Sequence, residues 1–184
     1  MVTKNKTLLK SDLTENDIDF GLFENCKFVG GISFINFSNS KFNDCDFSES
    51  TFSIASFSKC SFYSSKLSNI SFEDVAIDNL SFENCLMENC LFKKKGKLDL
   101  RTISFSSCNL SRSVFISCNF ESSELKECDL SETVFENCSL KNTSFETSKI
   151  NGIGFENSKI DNTILDISGF IDYGMSKGFR LKRE

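Results

Sequence analysis

The sequence holds no histidine, no tryptophan and no proline. Without histidine the commonest general base and a leading metal ligand are missing, which lowers the expectation of catalysis at once. No apolar run approaches the length that spans a bilayer, and no charged start leads into an apolar core with a small-residue cleavage site. A protein that is neither exported nor membrane-bound, and hence cytoplasmic, is expected. Positive charge is also scarce: 21 Lys and Arg face 26 Asp and Glu, the net charge is −5 and the pI is near 5.0. A surface of that sign repels phosphates, so direct nucleic-acid binding is not expected.

Phenylalanine, by contrast, is abundant at 21 residues, and its placement is periodic. The stretch SSCNLSRSVFISCNFESSELKECDLSETVF, residues 106–135, puts a large apolar residue at every fifth position: Leu110, Phe115, Phe120, Leu125, Leu130 and Phe135. A helix needs such residues every three or four positions and a strand every two, so neither accounts for the spacing. The period holds without a slip from Leu100 to Phe170. An earlier block keeps it from Ile32 to Phe92, and a first block runs from Leu8 through Phe28. Eighteen of the 21 Phe stand at these positions, leaving Phe20, Phe34 and Phe179 outside. An internal repeat is therefore the first fact to explain.

Two phase breaks separate the blocks. One residue is missing between Phe28 and Ile32, beside Gly30 and Gly31, where a tight bend is tolerated. Three residues are extra between Phe92 and Leu100, which predicts a protruding lysine-rich loop at 93–97.

All nine cysteines (Cys26, Cys45, Cys60, Cys85, Cys90, Cys108, Cys118, Cys128 and Cys138) precede a central apolar residue by two. Elsewhere that slot holds Ser50, Ala55, Ser65, Ser113, Ser123 or Thr133, so it selects a compact side chain, and Cys serves as a small buried hydrophobe. Zinc usually needs closely paired ligands, whereas the nearest pair, Cys85 and Cys90, belongs to successive units that point different ways. A reducing compartment and an odd count disfavour disulfides. No metal and no cofactor is expected.

A unit whose central residue and second-preceding residue face inward, with three facing outward, turns the chain by a quarter. Four units then make a square coil of twenty residues, and coils stack at the sheet spacing of ~4.8 Å. Phe42, Phe62 and Phe82 fall in one interior column, and Phe115, Phe135 and Phe155 in another. The expected organisation is an amino-terminal cap at 1–12, a repeat helix at 13–92 with the break at 29–31, and the loop at 93–97. A second repeat part at 98–170 and a carboxy-terminal cap at 171–184 complete it. The open ends of such a stack expose strand edges and apolar interior, which is why caps are expected.

Units such as CDFSESTFSIASFSKCSFYSS and CDLSETVFENCSLKNTSF resemble the pentapeptide-repeat proteins over about residues 8 to 170. The resemblance implies an all-β fold, a right-handed quadrilateral β-helix of about eight coils with a short carboxy-terminal cap. The residue before the centre, often Asp or Asn in the family, is here frequently Ser, Lys, Val or Leu.

With its interior filled by its own side chains, such a fold leaves function to the outside, and enzymatic activity is not expected, since no nucleophile, base and orienting group recur together. Length, the Phe and Cys units, and the interruption before LDLRTISF and NLSRSVFISCNF resemble the quinolone-resistance and microcin-immunity branch. That branch acts on DNA gyrase and topoisomerase IV by DNA mimicry, so the resemblance implies a topoisomerase inhibitor or protector with a part in antibiotic resistance. By position, Lys93, Lys94, Lys95, Gly96 and Lys97 correspond to one of its functional loops. Glu121, Glu124, Glu127, Asp129, Glu132 and Glu136 outnumber Arg112 and Lys126 and form the candidate acidic surface. The resemblance extends to a homodimer built on an apolar carboxy-terminal helix, although this tail ends in KGFRLKRE. A non-enzymatic scaffold for another protein is the alternative, for which Val114, Val134, Leu86 and Leu91 would supply outward apolar contacts.

Overall fold

The computed structural model describes residues 1–13 and 16–182. Within most five-residue units the centre and the residue two before it are buried, as at Phe62 and Cys60, while the other three reach toward solvent; the in-phase Ile77 is half-buried and Ile160 is exposed. The residue two after the centre turns the corner. It takes a left-handed backbone, with φ of 49° at Asn25, 54° at Asn84 and 53° at Asn137. Asn accepts that conformation because its short polar side chain bonds locally, and among the described residues eleven of the 25 non-glycine residues with positive φ are Asn. The corners also stitch neighbouring coils together: Asn25 Nδ2 donates to Asn5 Oδ1 at 2.8 Å and Asn162 Nδ2 to Asn142 Oδ1 at 2.8 Å.

Repetition of this corner gives an all-β parallel solenoid of about eight coils. Every strand pairing is parallel and centre meets centre, as at Phe42, Phe62 and Phe82. The first face is built on Phe23, Phe42, Phe62, Phe82, Phe105 and Leu125. The second follows Phe28, Phe47, Leu67, Met87, Leu110 and Leu130; the third Ile32, Phe52, Phe72, Phe92, Phe115 and Phe135; the fourth Ile18, Phe37, Phe57, Ile77, Leu100 and Phe120. Phase breaks are absorbed at single corners. Phe23 pairs with Phe42 across the missing residue, and Phe92 with Phe115 across the three extra ones. At the first break Lys27–Ser33 runs as one extended strand, with Gly30 at φ 83°. At the second, Leu91–Asp99 runs as one strand whose pairing skips from Lys93 to Leu98, so residues 94–97 bulge outward.

The interior is a set of phenyl stacks. Phe62 lies between Phe42 at 4.7 Å and Phe82 at 4.9 Å, near parallel to both, and Phe115 between Phe92 at 4.7 Å and Phe135 at 5.1 Å. Rings of neighbouring columns meet edge to face, as at Phe47 and Phe62. The compact slot does more than fill space. Ser65 Oγ donates to the Phe42 carbonyl at 3.2 Å, Cys85 Sγ to the Phe62 carbonyl at 3.4 Å and Thr143 Oγ1 to the Phe120 carbonyl at 2.7 Å. Each bond reaches a central residue one coil away, so Ser, Thr and Cys are chosen there for a donor as well as for size.

The two ends depart from the sequence-based boundaries. Residues 1–12 are not a separate cap: Val2–Lys4 pairs with Leu22–Glu24 and Thr7–Leu8 with Lys27–Phe28, and Thr3 occupies a buried centre. Repeats stop earlier than expected at the other end. Phe170, though in phase, lies on a helix, α1 (Ile167–Ser176), and is 69% exposed. Asp166 starts that helix, its carboxylate accepting from the Gly169 amide at 2.7 Å. Gly169 presses on Ile150, where an added Cβ would come within 3.2 Å of Cδ1, and Tyr173 packs on Phe155 at 5.4 Å between ring centres.

Candidate functional site

The interior of the solenoid is filled by its own side chains, and the sequence-predicted residues lie on its outside. Glu121 lies on the fourth face, Glu124 on the first, Glu127 at the corner after it, Asp129 on the second face, Glu132 at the next corner and Glu136 on the third face. One turn of the coil thus carries these six acids around all four sides, and they do not form one stripe. Some are matched: Asp129 pairs with Lys149 at 3.4 Å, and Glu127 accepts from Ser107 Oγ at 3.0 Å. Glu136 instead stacks on Glu156, two carboxylates in register on the third face. Asp129 is held below the usual carboxylate range: its partial burial pushes upward, but hydrogen bonds from Ser131 and Lys149 and the charge of Lys149 outweigh it.

The loop at 93–97 sits at the corner between third and fourth faces. Lys93 binds Glu73 at 2.9 Å, and the Lys95 amide donates to the Asp74 carboxylate at 3.4 Å. Lys94, Lys95 and Lys97 are exposed and make no ion pair among the described residues. Gly96, at φ 95° with open space where a Cβ would stand, supplies the bend. The outward apolar residues divide: Leu91, Val114 and Val134 stack half-buried on the third face, whereas Leu86 is an exposed residue of the second face.

Three exposed residues went unrecognised as surface features in the sequence. Phe20, Phe34 and Ile54 stand two after a centre, the corner position, with φ of 51°, 61° and 54°. A left-handed backbone costs a residue with a Cβ roughly 1–2 kcal/mol, and a β-branched one is an outlier there. The signal that finds them is a break in the Asn, Asp and Ser preference of that position. A further apolar area lies at the carboxy-terminal end. Phe170, Met175, Phe179 and Leu181 are exposed and, with Tyr173 and Gly174, line a hollow of about 340 Å³.

The nine cysteines are free and buried. Burial pushes the Cys45, Cys90 and Cys128 thiols up to about 12 and Cys60 to about 11. Cys85, hydrogen-bonded to Cys108 in the next coil and withdrawn from water, is also pushed up. These are not the accessible thiolates that nucleophilic or redox chemistry requires. Among the described residues no three His, Cys, Asp or Glu side chains gather as a metal site would need, and no helix is long and apolar enough to cross a membrane.

Comparison with known proteins adds three findings. The pentapeptide repeat region family matches residues 89–165 and the pentapeptide repeats (8 copies) family matches residues 33–69. No curated protein matches the sequence. Among solved structures, the chain is similar to trypsin-treated QnrB1, a plasmid-mediated fluoroquinolone resistance protein, at 16% identity and a TM-score of 0.49, covering 99% of this chain and 98% of that one. It is also similar to HetL, a pentapeptide repeat protein involved in heterocyst differentiation regulation from the cyanobacterium Nostoc, at 13% identity and a TM-score of 0.33, covering 91% and 88%.

Proposed function

The chain belongs to the pentapeptide-repeat family, and from that premise we propose that it is a non-enzymatic binding protein acting on type II topoisomerases. The observation that carries this reading is where charge lies on the rod. Residues 1–92 carry thirteen acidic and seven basic side chains, and residues 98–166 carry eleven and six. Net positive charge is confined to the loop at 93–97 and the tail after 166. At ~4.8 Å per coil, eight coils make a rod roughly 40 Å long. A duplex of that length carries on the order of twenty phosphate charges, at one per ~1.7 Å. The coils have an acidic excess of about half that, spread over all four sides, which suits a saddle that closes around DNA better than a flat acid-reading surface.

On this reading the acids, including Glu121, Glu124, Glu132 and Glu136, engage the DNA-binding surface of gyrase or topoisomerase IV. The lysine loop, Lys93 to Lys97, contacts the enzyme beside it, and the result is protection from quinolones or from a topoisomerase-targeting toxin. Gyrase supercoiling with and without the purified protein, in the presence of a fluoroquinolone, tests this. Rescue or inhibition supports the reading; no effect over a wide concentration range ends it. Removing residues 93–97 distinguishes an active loop, for which binding persists and protection is lost, from a passive one, for which nothing changes.

The exposed apolar end favours one addition. Ile167, Phe170, Met175, Phe179 and Leu181 are all more than half exposed around α1, an arrangement that self-association would bury. We place a homodimer contact there.

A further inference from the structure

Phe34 and Ile54 occupy the same corner column, one coil apart, as their neighbours Ser33 and Ser53 pair in register. Asp74 follows one coil further at that corner, and the lysine loop, bonded to Asp74 through the Lys95 amide, comes next. The column therefore presents two exposed apolar side chains, 56% and 63% accessible, and then a bulge whose Lys94, Lys95 and Lys97 make no ion pair among the described residues. The backbone at this position disfavours both Phe and Ile, and most other corners use Asn, Ser or Asp. The Lys10 ammonium lies over the Phe34 ring at 5.2 Å, but an exposed pair of this kind contributes little against the cost of apolar side chains held outward in a strained conformation, so a role outside the fold accounts for them better.

We propose that this corner is a docking ridge for an extended acidic protein segment that carries an apolar side chain. Charge complementarity sets the partner's sign, because these lysines lie on a body that is otherwise acidic. Geometry sets the spacing. Ile54 lies two coils from the loop, about 10 Å, which an extended chain covers in roughly three residues. The segment thus places its apolar residue against Phe34 and Ile54 and its carboxylates three or more residues away against Lys94, Lys95 and Lys97.

The probes are three labelled peptides of equal length: one with Phe followed three residues later by a run of Glu, one with that Phe replaced by Ser, and one with the Glu run replaced by Gln. Fluorescence anisotropy with the full chain is expected to show the first binding at least about tenfold more tightly than either control. Its affinity is expected to fall as salt rises. The F34N/I54N variant installs a residue that the corner backbone tolerates; it is expected to lose the preference while its Tm holds or rises. K94Q/K95Q/K97Q is expected to remove the salt dependence. Equal or unmeasurable binding of the three peptides by the native protein overturns the proposal, as does an F34N/I54N variant that keeps the preference; if the double variant does not fold, I54N alone decides. F34N/I54N leaves the acids and the loop intact, so its effect on gyrase supercoiling separates failure of this ridge from failure of the topoisomerase reading.

Discussion

Thr133 Oγ1 donates to the carbonyl oxygen of Leu110 at 2.9 Å, binding one coil to the next from inside the core. Ser123, in the equivalent slot of the first face, buries a hydroxyl that finds no partner. The contrast gives a sharp expectation. Thr133→Val keeps the shape and loses the bond, and should cost about 0.5–1.5 kcal/mol. Ser123→Ala removes an unsatisfied group and should be neutral or stabilising. Urea denaturation of the two variants measures both, and a Ser123→Ala loss as large as that of Thr133→Val would contradict the donor account.

Phe62 is buried between two stacked rings, whereas Glu136 stands on the surface beside Glu156. Phe62→Ala should therefore cost about 3–5 kcal/mol by leaving a cavity in the column. Glu136→Gln removes one of two adjacent like charges and should fall within about 0.5 kcal/mol of the parent. Thermal or chemical unfolding midpoints report the difference.

The thiols carry a pH dependence. In the unfolded chain they ionise near 9.0, while burial holds Cys45, Cys90 and Cys128 protonated up to about 12. Between those values the folded state binds more protons than the unfolded one, so stability is full below pH 9 and is lost as pH rises toward 12. Replacing the three with Ser should flatten the unfolding midpoint over that window. At neutral pH a thiol reagent should label the native protein slowly and the denatured protein fully; fast native labelling would place the cysteines in water.

Self-association through α1 predicts a concentration-dependent shift between monomer and dimer in sedimentation. Phe170→Ser with Phe179→Ser should move it toward monomer without lowering the Tm by more than a few degrees, since both side chains are exposed. A native protein that stays monomeric at every concentration would contradict the contact.

Much of this molecule was legible in the residues, for a physical reason. The interior repeats, so a period of five in large apolar residues, with Cys and Ser two before them, reports directly which side chains face inward. The strand pairing shifts register between Lys27 and Val29 and again between Lys93 and Leu98, close to where the count of five breaks phase. Corner chemistry was there to be read in the recurrent Asn at Asn84, Asn89 and Asn137, yet outward residues look interchangeable until backbone angles single out one of the three. The donor role of the small slot was hidden because size alone explains Cys and Ser equally well. Phe170 kept the period while leaving the coil, since a helix cap also needs apolar residues and one in-phase Phe cannot distinguish the two. Glu121 to Glu136 read as a cluster along the chain, but a quarter turn every five residues distributes neighbours in sequence over four sides in space.

The most direct test of the functional account is competition between this protein and a short DNA duplex for purified gyrase, followed by the anisotropy of the labelled duplex. The account predicts that the protein displaces the duplex, that displacement weakens as salt rises, and that neutralising Glu121, Glu132 and Glu136 weakens it further. Duplex binding that is unchanged at saturating protein would contradict it.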